Sequence, residues 1–126
     1  MADQFREQGA FSWCELTTAD VPAAQSFYTR LFGWSTEPWD GEADYTLIKV
    51  GGKEVAGMAP LRPDHPRPVG WTVYVTVTDV DLTASKAEEL GGKVLVPPTD
   101  IPKVGRFCVI QDPQGAVIKA ITYSRS

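Results

Sequence analysis

With 126 residues, 43% of them hydrophobic and 22% charged, the chain is sized and composed for one globular domain, or for two small halves sharing a core. A net charge of -4 argues against nucleic acid, whose binding needs a clustered basic face. The apolar runs are broken by Thr, Gly or Lys, which excludes a bilayer-spanning segment and a membrane partner.

The opening MADQFREQGA carries two acids and no apolar stretch of leader length, so a cytoplasmic protein is expected. Phe11 to Thr17 reads as a strand. By the two-residue period, Ser12, Cys14 and Leu16 share one face and Trp13, Glu15 and Thr17 the other. Asp20 is placed to cap a helix in which Pro22 is tolerable in the first turn. Ala23, Ala24, Phe27, Tyr28 and Leu31 form its apolar stripe, and Gly33 stops it. Trp34 to Asp40 is the next strand, turned by Asp40-Gly41. Tyr45 to Val50 and Lys53 to Ala59 then form a hairpin across Gly51-Gly52. Pro60 to Pro68, PLRPDHPRP, holds four prolines in nine residues and reads as a connector, covering about 60–69.

Gly70 to Thr78 is again a strand. Asp79 caps a second helix with Val80, Ala84, Ala87 and Leu90 as its buried stripe, closed at Gly91. Gly92 to Pro97 is a strand, and Pro97-Pro98 to Pro102 reads as an irregular rim loop. Arg106 to Gln111 and Ala116 to Tyr123 pair across Asp112-Pro113-Gln114-Gly115.

The order strand, helix, three strands is thus written twice. Asp20 falls against Asp79, Val21 against Val80, Leu31 against Leu90 and Gly33 against Gly92 at constant spacing. The expected fold is α+β. Two βαβββ modules, about 10–59 and 70–123, make an eight-stranded, curved, mixed sheet with the helices outside and a concave trough inside, in one domain over 1–126. A small ligand would lie in that trough.

The duplication, the turn Thr18-Ala19-Asp20-Val21, the run Phe27-Tyr28-Thr29-Arg30-Leu31-Phe32-Gly33-Trp34 and the hairpin Asp112-Pro113-Gln114-Gly115 resemble the vicinal oxygen chelate superfamily. That group includes glyoxalase I, extradiol dioxygenases, methylmalonyl-CoA epimerase and the fosfomycin- and bleomycin-resistance proteins. The resemblance spans about Phe11 to Tyr123. It implies a divalent metal held by side chains on the first strand of each module and an acid on the last. Carried over by position, these places fall on Trp13, Thr72 and Lys119, with Glu54 the one acid available on the fourth strand. Indole nitrogen has no lone pair to give and an ammonium repels a cation, so no metal and no cofactor are expected.

Glu15 shares the Trp13 face on an otherwise apolar strand, where a carboxylate is costly unless partnered. It reads as one half of a structural ion pair, with Lys119 as a partner, as a ligand-binding acceptor, or as a general base. Lys119 reads as a solvated or paired lysine, or as a contact for a ligand anion; as a Schiff-base former it has no support from its neighbours. Trp13, Trp39, Tyr45, Met58 and Tyr74 are candidates for an aromatic wall around a planar ligand, with Thr72 beside Tyr74. Trp71, on the other face of its strand, is assigned to packing against a helix. His65, the one histidine, lies in the proline-rich connector and is expected to be exposed. Cys14 and Cys108 are expected to be buried free thiols.

The functional expectation is a metal-independent binder of a small apolar or aromatic molecule. The resemblance to drug-sequestering members implies a homodimer. The alternative is a glyoxalase-like lyase or isomerase. It would use a non-standard metal set including Glu15 and Glu54, or Glu15 as base with Lys119 stabilising an anion. A third option is an accessory domain with a vestigial trough.

Overall fold

A computed structural model describes residues 3–39, 44–62 and 69–124. The Asp40-Gly41 turn and His65 lie outside the described residues. The chain divides into two compact units, Trp13–Trp71 and a second made of residues up to Ser12 together with Thr72 onward.

In the first unit, β1 (Phe11–Thr18) leads through α1 (Val21–Phe32) to β2 (Ser35–Pro38), β3 (Thr46–Val50) and β4 (Lys53–Pro60). The strands lie in the order β2-β3-β4-β1, with β1 parallel to β4 and the other neighbours antiparallel. Asp20 caps α1 by accepting from Ala23 N at 3.0 Å, and Gly33, at φ 74°, closes it by donating to Thr29 O. One core sits between α1 and the sheet: Leu16, Ile48, Ala56 and Met58, with Val21, Ala24, Tyr28 and Trp34 packed on them. Trp71 joins this side. Its Nε1 donates to Tyr28 Oη at 3.2 Å and its ring stands on edge to Tyr28 and Trp34, the helix contact expected of it.

The second unit repeats the plan with β5 (Gly70–Thr76), α2 (Val80–Glu89), β6 (Lys93–Ile101), β7 (Gly105–Gln111) and β8 (Val117–Tyr123). Here β5 is parallel to β8 and the order is β5-β8-β7-β6. Asp79 caps α2 as Asp20 caps α1, accepting from Leu82 N at 3.1 Å. The core under α2 is Val77, Val80, Ala84, Cys108 and Ala120. The segment before β1 also belongs to this unit. Gly9 N donates to Thr76 O, Thr76 N to Ala10 O and Thr78 N to Gln8 Oε1, each at 2.8 Å, and Phe5 stands on edge to Tyr123.

The chain is therefore α+β, with eight strands and two helices among the described residues in a duplicated βαβββ pattern. No helix among the described residues is long and apolar enough to cross a membrane.

Several expectations are corrected. β6 runs straight through Pro97 and Pro98 to Ile101 where a loop was expected. It is an edge strand with register shifts, so the missing N–H groups interrupt no inner ladder. Trp39 lies just past β2, which ends at Pro38. The apolar stripe of α1 is divided, with Ala24 and Tyr28 packed on the core and Phe27 and Leu31 exposed. Leu90 is exposed at the end of α2. Cys14 is exposed, whereas Cys108 is buried as expected.

Burial pushes the Cys108 thiol from about 9 up to about 11. A native thiol titration at pH 8 is expected to react Cys14 and spare Cys108, with both reacting after denaturation. The folded thiol stays protonated where the unfolded one ionises. Its contribution to stability is thus complete below about pH 9 and is lost as pH rises towards 11, measurable by urea unfolding across that window. Met58→Ala opens a cavity beneath α1 and is expected to cost about 2–5 kcal/mol in the same assay.

Candidate functional site

The sheet surface of the first unit that faces away from α1 is built around a missing side chain. Register places Glu15 and Leu47 on either side of Gly57, and side chains directly across a sheet share a face. A Cβ at Gly57 would land on the Tyr45 ring and hydroxyl. Tyr45 therefore lies flat on bare backbone, a close approach that only glycine in a strand permits. Trp13 Nε1 donates to Tyr45 Oη at 2.9 Å. Trp39 stands on edge to the same ring, 5.9 Å between centroids and 76° between planes, and its backbone N donates to Tyr45 O at 2.9 Å. Three of the residues expected in an aromatic wall are thus one connected group.

Beside this wall the strand period puts Trp13, Glu15 and Thr17 on one face. Glu15 is 3% exposed and Thr17 2%. The Thr17 Oγ1 is buried and has no hydrogen-bond partner among the described residues. The face therefore combines indole and phenol rings with a buried carboxylate and a buried hydroxyl, groups suited to orienting a polar edge of an otherwise apolar molecule.

Met58 does not belong to it. Leu16 is its partner in register, and both lie in the core under α1, on the opposite face from Glu15. Its place in the ligand wall is withdrawn.

In the second unit the corresponding face carries Tyr74 and Lys119, which are partners in the parallel pairing of β5 and β8. The Lys119 Nζ stands 5.0 Å from the centroid of the Tyr74 ring, within cation–π reach. Lys119 is 1% exposed, so it is not a solvated lysine. Phe107 lies 6.5 Å from Tyr74 and continues the apolar lining. The Thr72 Oγ1 is buried and without a hydrogen-bond partner among the described residues.

The positions at which the resemblance implies a divalent ion do not fit one. Trp13 offers an N–H that is already given to Tyr45. Lys119 brings positive charge into a buried setting. Glu54 is exposed, across from Lys49 in the β3–β4 ladder. Among the described residues no three of His, Cys, Asp and Glu come together in ligating positions.

Gly57, Thr17 and Phe107 were not singled out from sequence. A glycine inside an apolar strand is a readable sign of close backbone approach. Thr17 and Phe107 follow from the strand period once the faces are fixed.

A separate cleft of about 490 Å³ lies where the start of α2 meets the β6–β7 hairpin, lined by Asp81, Pro102, Lys103, Arg106 and Tyr123 among others. Its central cation is already committed. Arg106 grips both carboxylate oxygens of Asp81 at 3.0 and 3.1 Å and Asp100 at 3.0 Å. The guanidinium hydrogen bonds hold the Asp81 carboxyl below its usual range. The cluster clamps α2 to the hairpin.

Comparison with known proteins agrees with the duplicated fold. The family model for the glyoxalase/bleomycin resistance protein/dioxygenase superfamily matches residues 10–119. CFP32 of Mycobacterium tuberculosis, provisionally named a glyoxylase, is 39% identical over 117 residues, covering 88% of this chain and 44% of its own. The anthracycline biosynthesis protein DnrV of Streptomyces peucetius is 38% identical over 125 residues, covering 86% of this chain and 45% of its own. The chain thus spans less than half the length of these curated relatives. Among solved structures, Streptomyces coelicolor methylmalonyl-CoA epimerase, in complex with 2-nitronate-propionyl-CoA, superposes with a TM-score of 0.63 at 18% identity, over 94% of this chain and 100% of that one. The epimerase of Mycobacterium tuberculosis gives 0.58 at 19%, over 93% and 89%. The chain belongs to the glyoxalase/bleomycin resistance protein/dioxygenase superfamily.

Proposed function

We propose that this protein binds a small, planar, apolar molecule against the Trp13–Tyr45–Trp39 wall, with Glu15 accepting a hydrogen bond from the ligand and no metal ion taking part. The observation that carries the reading is the bond from Trp13 to Tyr45. At the place where the resemblance implies a metal ligand, the chain puts an indole whose one polar atom is a donor already in use. Aromatic walls of this kind offer stacking faces and edges to a ring system. Support for the class of ligand comes from the relative named for anthracycline biosynthesis, since anthracyclines are planar polycyclic aromatics. Lys119 and Thr72, on the sheet face of the second unit, are proposed as ligand contacts of that face. The homodimer is also kept as a proposal.

A second reading rests on the buried Glu15 and on the relative provisionally named a glyoxylase. Glu15 would then be a general base removing a proton next to a carbonyl.

Quenching of tryptophan fluorescence by daunorubicin, used as the probe, separates these. Saturable binding is expected, with the probe recovered unchanged. Tyr45→Phe deletes the acceptor of Trp13 and is expected to lower stability by about 0.5–1.5 kcal/mol. Gly57→Ala, which drives Tyr45 off the sheet, is expected to weaken binding at least tenfold while the protein stays folded by circular dichroism. Dialysis against EDTA is expected to leave the affinity unchanged. A stoichiometric divalent ion in protein purified without chelator would overturn the reading. Turnover of a 2-oxoaldehyde–thiol adduct that is lost in Glu15→Gln would favour the enzyme instead.

A further inference from the structure

The duplicated module carries its own control for one side chain. Thr17 and Thr76 hold the same place in the first strands of the two modules, at the constant spacing that sets Asp20 against Asp79. Each is 2% exposed. Each lies on the sheet face turned away from its helix, because the adjacent residues Leu16 and Val77 belong to the cores under α1 and α2. The two hydroxyls are used differently. Thr76 Oγ1 donates to the backbone carbonyl of Gln4, in the segment before β1. Thr17 Oγ1 has no partner among the described residues. Its neighbour in register on β4 is Ala59, whose side chain has nothing polar to offer.

A hydroxyl shut away from water with nothing to bond is costly, and valine has the same outline without that cost. The equivalent place in the second unit shows what completes such a hydroxyl on this scaffold, a carbonyl oxygen. We propose that Thr17 is a specificity-determining residue of the ligand site, its hydroxyl donating to a carbonyl oxygen of the bound molecule. The inference rests on the reading that the ligand lies against the Trp13–Tyr45–Trp39 wall. Thr17 follows Glu15 by two residues on one face, about 6.6 Å along the strand, so one edge of a planar ligand can reach both. That edge carries a hydroxyl or N–H for the Glu15 carboxylate and a carbonyl oxygen for Thr17. A hydroxy-substituted quinone or aryl ketone sets these two groups side by side in the plane of its rings. A ligand without the carbonyl leaves Thr17 as unsatisfied as before, and a site built to bond a polar group discriminates strongly against the analogue that lacks it.

Calorimetric titration with two probes tests this: 1-hydroxyanthraquinone, and 1-hydroxyanthracene, which keeps the fused rings and the hydroxyl but has no carbonyl. The quinone is expected to bind the unaltered chain about tenfold more tightly than the anthracene. Thr17→Val should abolish that preference, weakening the quinone about tenfold and leaving the anthracene unchanged, whereas Thr17→Ser should keep it. In urea unfolding without ligand, Thr17→Val should be at least as stable as the unaltered chain, because the hydroxyl it deletes has no partner to lose. Equal affinity for the two probes, or a preference that survives Thr17→Val, overturns the role of Thr17 and leaves binding at the aromatic wall standing. So does a clear loss of stability in Thr17→Val, which would put the partner of the hydroxyl within the protein itself. If neither probe binds the unaltered chain, the wall reading falls and this inference falls with it.

Discussion

Tyr45 can lie against the sheet only because Gly57 has no side chain, and the aromatic face of the first unit is arranged around that close approach. The ring is fixed from three sides: bare backbone beneath, the Trp13 N–H on its hydroxyl, and Trp39 on edge. Each contact is modest by itself. Together they give a stiff wall from side chains with few rotatable bonds, which would lower the entropy cost of binding the flat ligand proposed above. The Trp13 indole is spent on this arrangement, so metal binding of the kind the superfamily resemblance implies has no donor at that position.

Buried charge is the second constraint. Glu15 and Lys119 are each nearly inaccessible to solvent, in their own units. A charge taken out of water is costly unless it is partnered, so both positions constrain what can pack around them. The Lys119 ammonium recovers part of the cost over the Tyr74 ring.

Much of the fold was legible because its signals are local. Asp20 and Asp79 cap their helices through the same i to i+3 bond, and Gly33 closes α1 in the left-handed conformation expected of it. The two-residue period placed Trp13 and Glu15 on one face without knowledge of any partner strand. The misreadings are long-range. Whether Met58 faces α1 or the wall depends on its parallel register with Leu16, set by residues some forty positions away. Pro97 and Pro98 look like a loop until β6 is seen to be an edge, where their missing N–H groups are harmless. The stripe on α1 was read correctly as apolar, but periodicity cannot say whether an apolar stripe is covered by the protein's own sheet. Glu15, Trp39 and Tyr45 were named as candidates from residue type and spacing. Gly57, which seats the wall, was passed over because its role is visible only in what would collide with it.

The two copies of the module show which features the architecture needs and which it leaves free. Both keep the cap, the helix and a first strand parallel to the last, since each satisfies backbone groups that have no other partner. Neither the outer helix face nor the sheet face carries such an obligation. The first unit spends that freedom on a nearly uncharged aromatic helix surface and a sheet face of indoles with an acid. The second has a charged, solvated helix and a sheet face with an ammonium and a hydroxyl. Duplication thus supplies a scaffold twice over, and chemistry enters where backbone hydrogen bonding makes no demand. In the first unit the freedom falls to the Glu15 face, on the side of the sheet away from α1, where the proposed ligand would lie.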